Sequence, residues 1–324
     1  MDGSLENFNF TIRTYGCTVV GVLLIAINLP VLSIIIANDR LRKKYRIIAF
    51  LLLSNAVTGL LAALSGLARF RYYCQEKGQY KVSSVTCFYE SVSVWLIWIN
   101  LQNGANLLIT SIDRLIVVTF PGFYYKNANR LTNWLIVCSF GSTTIIMASS
   151  VLSEITSSSR QISALCKEQE LFSVGKYNFI EIMRAFFAIA GIMIMVGVLV
   201  IMKKRKTMMH VVFTSRTTAA AFVNNQKQYT ITVLLSSTFT FFLFVLPTVY
   251  QLLLQFQDFR MISHLKLYAV FLSYLNAFNV AAVTVFRQKD VKFRRICQTS
   301  SPTVPVSRDP RVPLATKLTK VTQK

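Results

Sequence analysis

Seven apolar stretches, at residues 15–37, 47–67, 88–120, 132–152, 177–202, 230–254 and 266–285, decide what this chain can become. Each is long enough for the ~20 residues an α-helix needs to cross a ~30 Å hydrocarbon core. The 324-residue chain is 53% hydrophobic and only 15% charged, with a mean hydropathy of +0.49. Soluble domains carry about 25% charged residues, so a water-soluble globule is excluded. No stretch alternates apolar with polar as a barrel strand would, and backbone polar groups in lipid must be satisfied within their own segment. The predicted fold is an all-α membrane protein, a seven-transmembrane helix bundle with short connections, over residues 14–285. Span three exceeds what a bilayer requires and is expected to tilt or project into water.

Charge orients the bundle. A net charge of +22 and a pI near 10.0 match the footprint of a nucleic-acid binder. The distribution says otherwise. Of the 35 Lys and Arg, 24 lie in the one–two, three–four and five–six connections and the C-terminal tail. Ten lie on the opposite side, and Arg184 falls within span five. The positive-inside bias then places the N-terminus outside and the C-terminus in the cytoplasm. No nucleic acid is required, and the basic face suits anionic membrane lipid.

The flanking segments follow. Residues 1–13 form an extracellular N-terminus carrying the single N-x-S/T sequon, Asn9-Phe10-Thr11, a glycosylation acceptor. They lack a basic n-region and an apolar core, so span one is expected to act as an uncleaved insertion signal. Residues 286–297 read as an amphipathic helix lying along the membrane, and 298–324 as a disordered basic cytoplasmic tail. Cys297 is a candidate for palmitoylation, with an unmodified thiol the equal alternative. Cys17 and Cys138 fall in or near lipid, where a free cysteine behaves as a small hydrophobe. Cys74, Cys87 and Cys166 are extracellular, where disulfides persist, and allow one bridge with one thiol left over. Cys87 opens span three and Cys166 lies mid-loop between spans four and five. They are the expected pair, with Cys74 the alternative partner of Cys166.

The end of span three carries a specific pattern, Ser111-Ile112-Asp113-Arg114-Leu115 through Pro121-Gly122-Phe123-Tyr124. It resembles the D-R-Y-x5-P-x2-Y signature of rhodopsin-like (class A) G-protein-coupled receptors, with Leu115 in place of Tyr. Asp113, Arg114, Pro121 and Tyr124 match in register. Asn28 sits where that family has its span-one Asn. Phe241 and Pro247 keep the Phe and Pro of its span-six motif, with Phe244 and Val245 in place of Cys and Trp. Asn279 resembles the Asn of N-P-x2-Y, without its Pro and Tyr, and Gly59 replaces the span-two carboxylate that supports a sodium ion. Among such receptors, the nematode serpentine chemoreceptors are most similar.

The resemblance implies roles. Arg114, with Asp113 as its natural partner, would pair with neighbours at rest and meet a heterotrimeric G protein when the helices separate. Snorkelling to the interface is the plainer account of an arginine there. Pro247 removes a backbone hydrogen bond and should kink span six. The kink would be a pivot about which Phe241 slides against span three, unless it is static. No span-six glutamate locks Arg114, since Lys227 lies near that position, which implies a weak resting lock.

A ligand site is expected in the outer half, where bundles build sites from inward-facing side chains. Glu90, Trp95, Asn100, Glu181, Arg184, Tyr250, Gln251 and Tyr268 are its candidates. Glu181 and Arg184, three apart, are placed to pair on one helix face. Asn100, Asn103 and Asn106 form one polar stripe, more readily interhelical glue than cavity lining. Leu96 replaces the aspartate of amine receptors and Ser273 the lysine of light receptors, so neither ligand class is expected.

The function read from these residues is a plasma-membrane receptor coupling a small extracellular chemosensory ligand to a heterotrimeric G protein. A divergent receptor with weak or lost coupling is the alternative, ahead of a transporter. Internal repeats and broken helices are not apparent. His210 and His264 are the only histidines and no H-E-x-x-H pattern exists, so no enzyme activity, metal or cofactor is expected.

Overall fold

A π-helical turn, Ile12–Gly16, runs directly into the first long helix, α1 (Cys17–Ala37), in a computed structural model of the chain. The residues described are 11–74, 81–157, 160–163, 166, 168–212, 238–255 and 263–287. All lie in the first of two units, Met1–Val291, the second being Lys292–Lys324. Asn9, Lys227, Cys297, the tail and nearly all of the expected membrane-parallel helix lie outside the described residues.

After α1 come α2 (Asp39–Lys44), α3 (Arg46–Cys74), strand β1 (Lys81–Ser83), α4 (Ser84–Glu90), α5 (Ser93–Thr119) and α6 (Pro121–Ser157). Strand β2 (Gln161–Ser163), α7 (Glu168–Leu171) and α8 (Val174–Val212) follow. A second π-helical turn, Phe241–Val245, leads into α9 (Leu246–Gln255), and α10 (Ser263–Arg287) closes the described chain. Thr14–Ala37, Arg46–Arg71, Lys126–Thr156 and Val174–Lys204 are each long and apolar enough to cross a membrane.

The packing is inverted relative to a protein in water. Val19, Leu23, Ile145, Phe186 and Met193 are exposed, whereas Asn28, Gln102, Asn106, Asp113, Glu181 and Arg184 are buried. Polar groups turned inward behind an apolar surface are what a lipid solvent selects. The chain is an all-α membrane protein.

The third apolar stretch is not one helix. The expected stretch 88–120 divides into α4 and α5 at Ser91 and Val92, where the Ser91 hydroxyl accepts from the Ser93 amide at 3.0 Å. The break leaves α5 with 27 residues, still longer than the ~20 that a hydrocarbon core requires. The centre of the fold is α5, packed on α3, α6 and α8.

The closest pair is α1 on α3. A Cβ on Gly21 would meet the Gly59 carbonyl oxygen at 2.5 Å, and one on Gly59 would meet the Gly21 oxygen at 2.7 Å. Small residues let membrane helices approach backbone to backbone. Gly59 is therefore glycine for packing, and the contact leaves no space for a carboxylate.

Two short strands appear that hydropathy did not predict. β1 and β2 pair antiparallel, with Val82 opposite Ile162, and Arg160 donates to the Glu170 and Phe172 carbonyls at 2.6 and 2.8 Å. Beneath them Cys87, Phe88, Ile97, Met147, Leu171, Phe172 and Ile180 form one apolar cluster. The disulfide joins Cys87 to Cys166, with a Cα–Cα distance of 5.7 Å. Cys166 has φ 44°, a left-handed conformation that costs an L-residue about 1–2 kcal/mol. Its amide donates to the Ser163 carbonyl at 2.9 Å, and its carbonyl accepts from the Ser93 hydroxyl at 2.9 Å. These bonds and the bridge hold it there.

Candidate functional site

The corner between α5 and α6 brings three of the predicted residues together. Asp113 is 1% exposed. The Tyr124 hydroxyl donates to its Oδ1 at 3.1 Å, and Arg114 Nη2 lies 3.7 Å from its Oδ2. The local chain makes this possible. α5 ends at Thr119, α6 starts at Pro121, and the Tyr124 amide donates to the Phe120 carbonyl at 3.0 Å. Proline suits the first position of a helix, where its missing N–H is no loss. The eleven-residue offset then folds the phenol back over the carboxylate. Burial, followed by the Asp113 charge, pushes the Tyr124 phenol up to about 12, so it is a donor at neutral pH.

A polar layer lies along α5. Gln102 donates to Asn106 Oδ1 at 2.7 Å and to Ser139 at 2.9 Å, and accepts from Thr143. Asn103 donates to Thr58 at 3.0 Å and Asn106 to Ser54 at 2.9 Å. Asn103 and Asn106 are thus interhelical glue joining α5 to α3, while Gln102 joins it to α6. The sequence reading missed Gln102 and its hydroxyl partners, because Ser and Thr in apolar helices ordinarily bond their own i−4 carbonyl. Asn100 makes no side-chain hydrogen bond to the described residues.

The second cluster centres on α8. Arg184 Nη1 lies 3.3 Å from Glu181 Oε2, the predicted pair, and both side chains are nearly enclosed. Two further partners come from distant elements. Arg184 Nη2 donates to Ser273 Oγ of α10 at 3.4 Å, and the guanidinium lies 5.3 Å from the Phe244 ring centroid in the π-helical turn. On α5, Gly104 leaves the helices close, since a Cβ there would meet the Arg184 carbonyl oxygen at 3.0 Å.

Other predicted residues lie elsewhere. Trp95 is 59% exposed, stacked edge-on against Trp98, which in turn meets Phe140 of α6. Nine residues separate it from Gly104, half a helical rotation, so it faces away from Arg184. Tyr250 lines an apolar cleft of about 410 Å³ between α8 and α9, with Ile189, Ile192, Val245 and Val249. The side chains of Glu90, Gln251, Tyr268 and Pro121 lie outside the described residues. Asn279 is half-buried on α10.

Span six differs from expectation. A π-helical turn, Phe241–Val245, ends two residues before Pro247, and the Leu246 amide donates to the Phe241 carbonyl. Phe241 is 40% exposed and lines the cleft with α8. Phe244 occupies the buried position beside Leu107 of α5. A π-helical turn shifts the rotation of the residues it contains, which periodicity at 3.6 does not anticipate.

No protein-family model matches this chain, and neither does any curated protein.

Proposed function

We propose that this protein is a seven-span receptor of the plasma membrane, of the rhodopsin-like kind, coupling a small extracellular ligand to a heterotrimeric G protein. The observation that carries the reading is the closed corner of Asp113, Arg114 and Tyr124. A buried carboxylate lies beside an arginine at one end of the central helix, and a hydroxyl from the next helix donates to that carboxylate. Arg114 is thereby kept next to its counter-charge and available to a partner once the corner opens. In this reading the sheet end of the bundle is extracellular, the corner is cytoplasmic, and Arg184 and Glu181 belong to the ligand site. The π-helical turn before Pro247 provides the articulation of span six, since such turns mark functional bends. No catalytic activity is assigned to it.

The test is nucleotide exchange on a G protein, for the parent and Arg114→Ala, with surface expression measured in parallel. Ligand-dependent exchange in the parent and none in the variant supports the reading. A second reading, a divergent receptor that no longer couples, is favoured by Gly59, whose close contact with Gly21 removes the ion site of related receptors. Absence of exchange across a ligand panel, at intact surface expression, selects it.

A further inference from the structure

We infer that the ligand's polar group is an uncharged carbonyl bound by Arg184, and that Glu181 is the residue that excludes anions. The inference rests on the receptor reading only in calling the bound molecule a ligand. The site itself follows from an imbalance of donors and charge. A guanidinium has five N–H donors. In Arg184, which is 5% exposed, Nη1 reaches Glu181 at 3.3 Å and Nη2 reaches Ser273 at 3.4 Å. Charge-assisted N–H···O bonds run about 2.7–2.9 Å, so both contacts are slack. Nε is buried with no acceptor among the described residues. A pair retained for structure alone would be short and fully satisfied, because an orphaned buried donor costs about 1–3 kcal/mol.

The vacant donor defines what fits. Nε and one Nη form the side-on edge of the guanidinium, which takes oxygen acceptors. The Phe244 ring fixes the plane from one side. Charge then selects among acceptors. Glu181 already neutralises Arg184, so a carboxylate would bring an uncompensated charge into a buried site, whereas a ketone or ester brings none. The amide of Asn100, one turn from Gly104 on the same face of α5, is a second polar group without a hydrogen bond to the described residues. Ala188, Phe244 and Val245 form one packed cluster, and Val245 also lines the cleft.

Full-length protein in phospholipid nanodiscs, probed with 2-heptanone, heptanoate and n-heptane, tests this. The thermal-unfolding midpoint should rise with 2-heptanone and stay fixed with the other two. In Glu181→Gln the preference should reverse, with heptanoate binding at least about tenfold better than in the parent. Equal shifts from 2-heptanone and heptane, a parent preference for heptanoate, or an unchanged preference in Glu181→Gln would each overturn the inference. Should Glu181→Gln fail to fold, the carbonyl stretch of bound ¹³C-labelled 2-heptanone reads the same contact in the parent. It should lie at lower frequency than in lipid alone, and an unshifted band overturns the proposal. Neither readout needs a G protein. Ketone binding without nucleotide exchange removes the receptor reading alone, and exchange driven by ligands lacking a carbonyl removes this inference alone.

Discussion

Tyr124 donates its phenol proton to the buried carboxylate of Asp113 at 3.1 Å, across the α5–α6 corner. This bond is what holds the acid that faces Arg114. Removing it in Tyr124→Phe should cost about 1.5–3 kcal/mol, the range for a hydrogen bond to a charged group, measured by thermal unfolding in nanodiscs. The same variant should raise basal nucleotide exchange, because the carboxylate becomes free to leave Arg114. Unchanged basal exchange at reduced stability would confine the bond to a structural role.

The pH dependence of that bond has a definite sign. The folded phenol titrates at about 12, above its ordinary 10.0, so the folded state keeps its proton longer than the unfolded state. The contribution is fully present below pH 10 and is lost as pH rises through 12. The stability gap between parent and Tyr124→Phe should be flat from neutral pH to 10 and narrow above it. A gap that narrows below pH 9 contradicts the assignment.

Neighbouring amides on α5 should behave differently. Gln102→Ala unmakes bonds to Asn106, Ser139 and Thr143, and should cost about 1–2 kcal/mol, the upper part of what polar contacts contribute between membrane helices. Asn100→Ala removes no bond to the described residues and should leave the unfolding midpoint within experimental scatter. Equal losses in the two variants would show that Asn100 has a structural partner.

Glycines give a second contrast. Gly59→Ala drives a Cβ against the Gly21 carbonyl and should cost about 1–3 kcal/mol by overpacking. Gly59→Asp should be worse still, and should confer no sodium sensitivity. Gly141 has nothing within 4 Å of the corresponding position, so Gly141→Ala should stabilise α6 by about 0.4–1 kcal/mol. Size-exclusion profiles and unfolding midpoints separate the outcomes.

Cys166→Ser should lower stability by about 2–5 kcal/mol, offset in part by release of the left-handed backbone at 166. Cys74→Ser should leave the bridge intact, since Cys87 is the partner. Non-reducing peptide mapping distinguishes the two. A bridge lost in Cys74→Ser contradicts the pairing.

Hydropathy by itself determined that this chain is built of apolar helices for a lipid solvent, because burial in lipid is a property of each stretch of about twenty residues. Local spacing likewise placed Glu181 beside Arg184, three residues apart on one helix, and put Asp113 within reach of Arg114. The offset to Tyr124 was legible only through the resemblance of the Asp113-Arg114 to Tyr124 pattern to a known signature, since its contact crosses a helix boundary. Tertiary structure alone decided the rest. Ser273 reaches Arg184 from 89 residues away, and Phe244 rather than Phe241 is buried, within the π-helical turn that precedes α9. The β1–β2 pairing, the choice of Cys87 over Cys74 and the contact of Gly21 with Gly59 have the same origin. Each depends on how helices are rotated and staggered against one another. That is set by the fit of small and large side chains across an interface, and no single segment contains both halves of it.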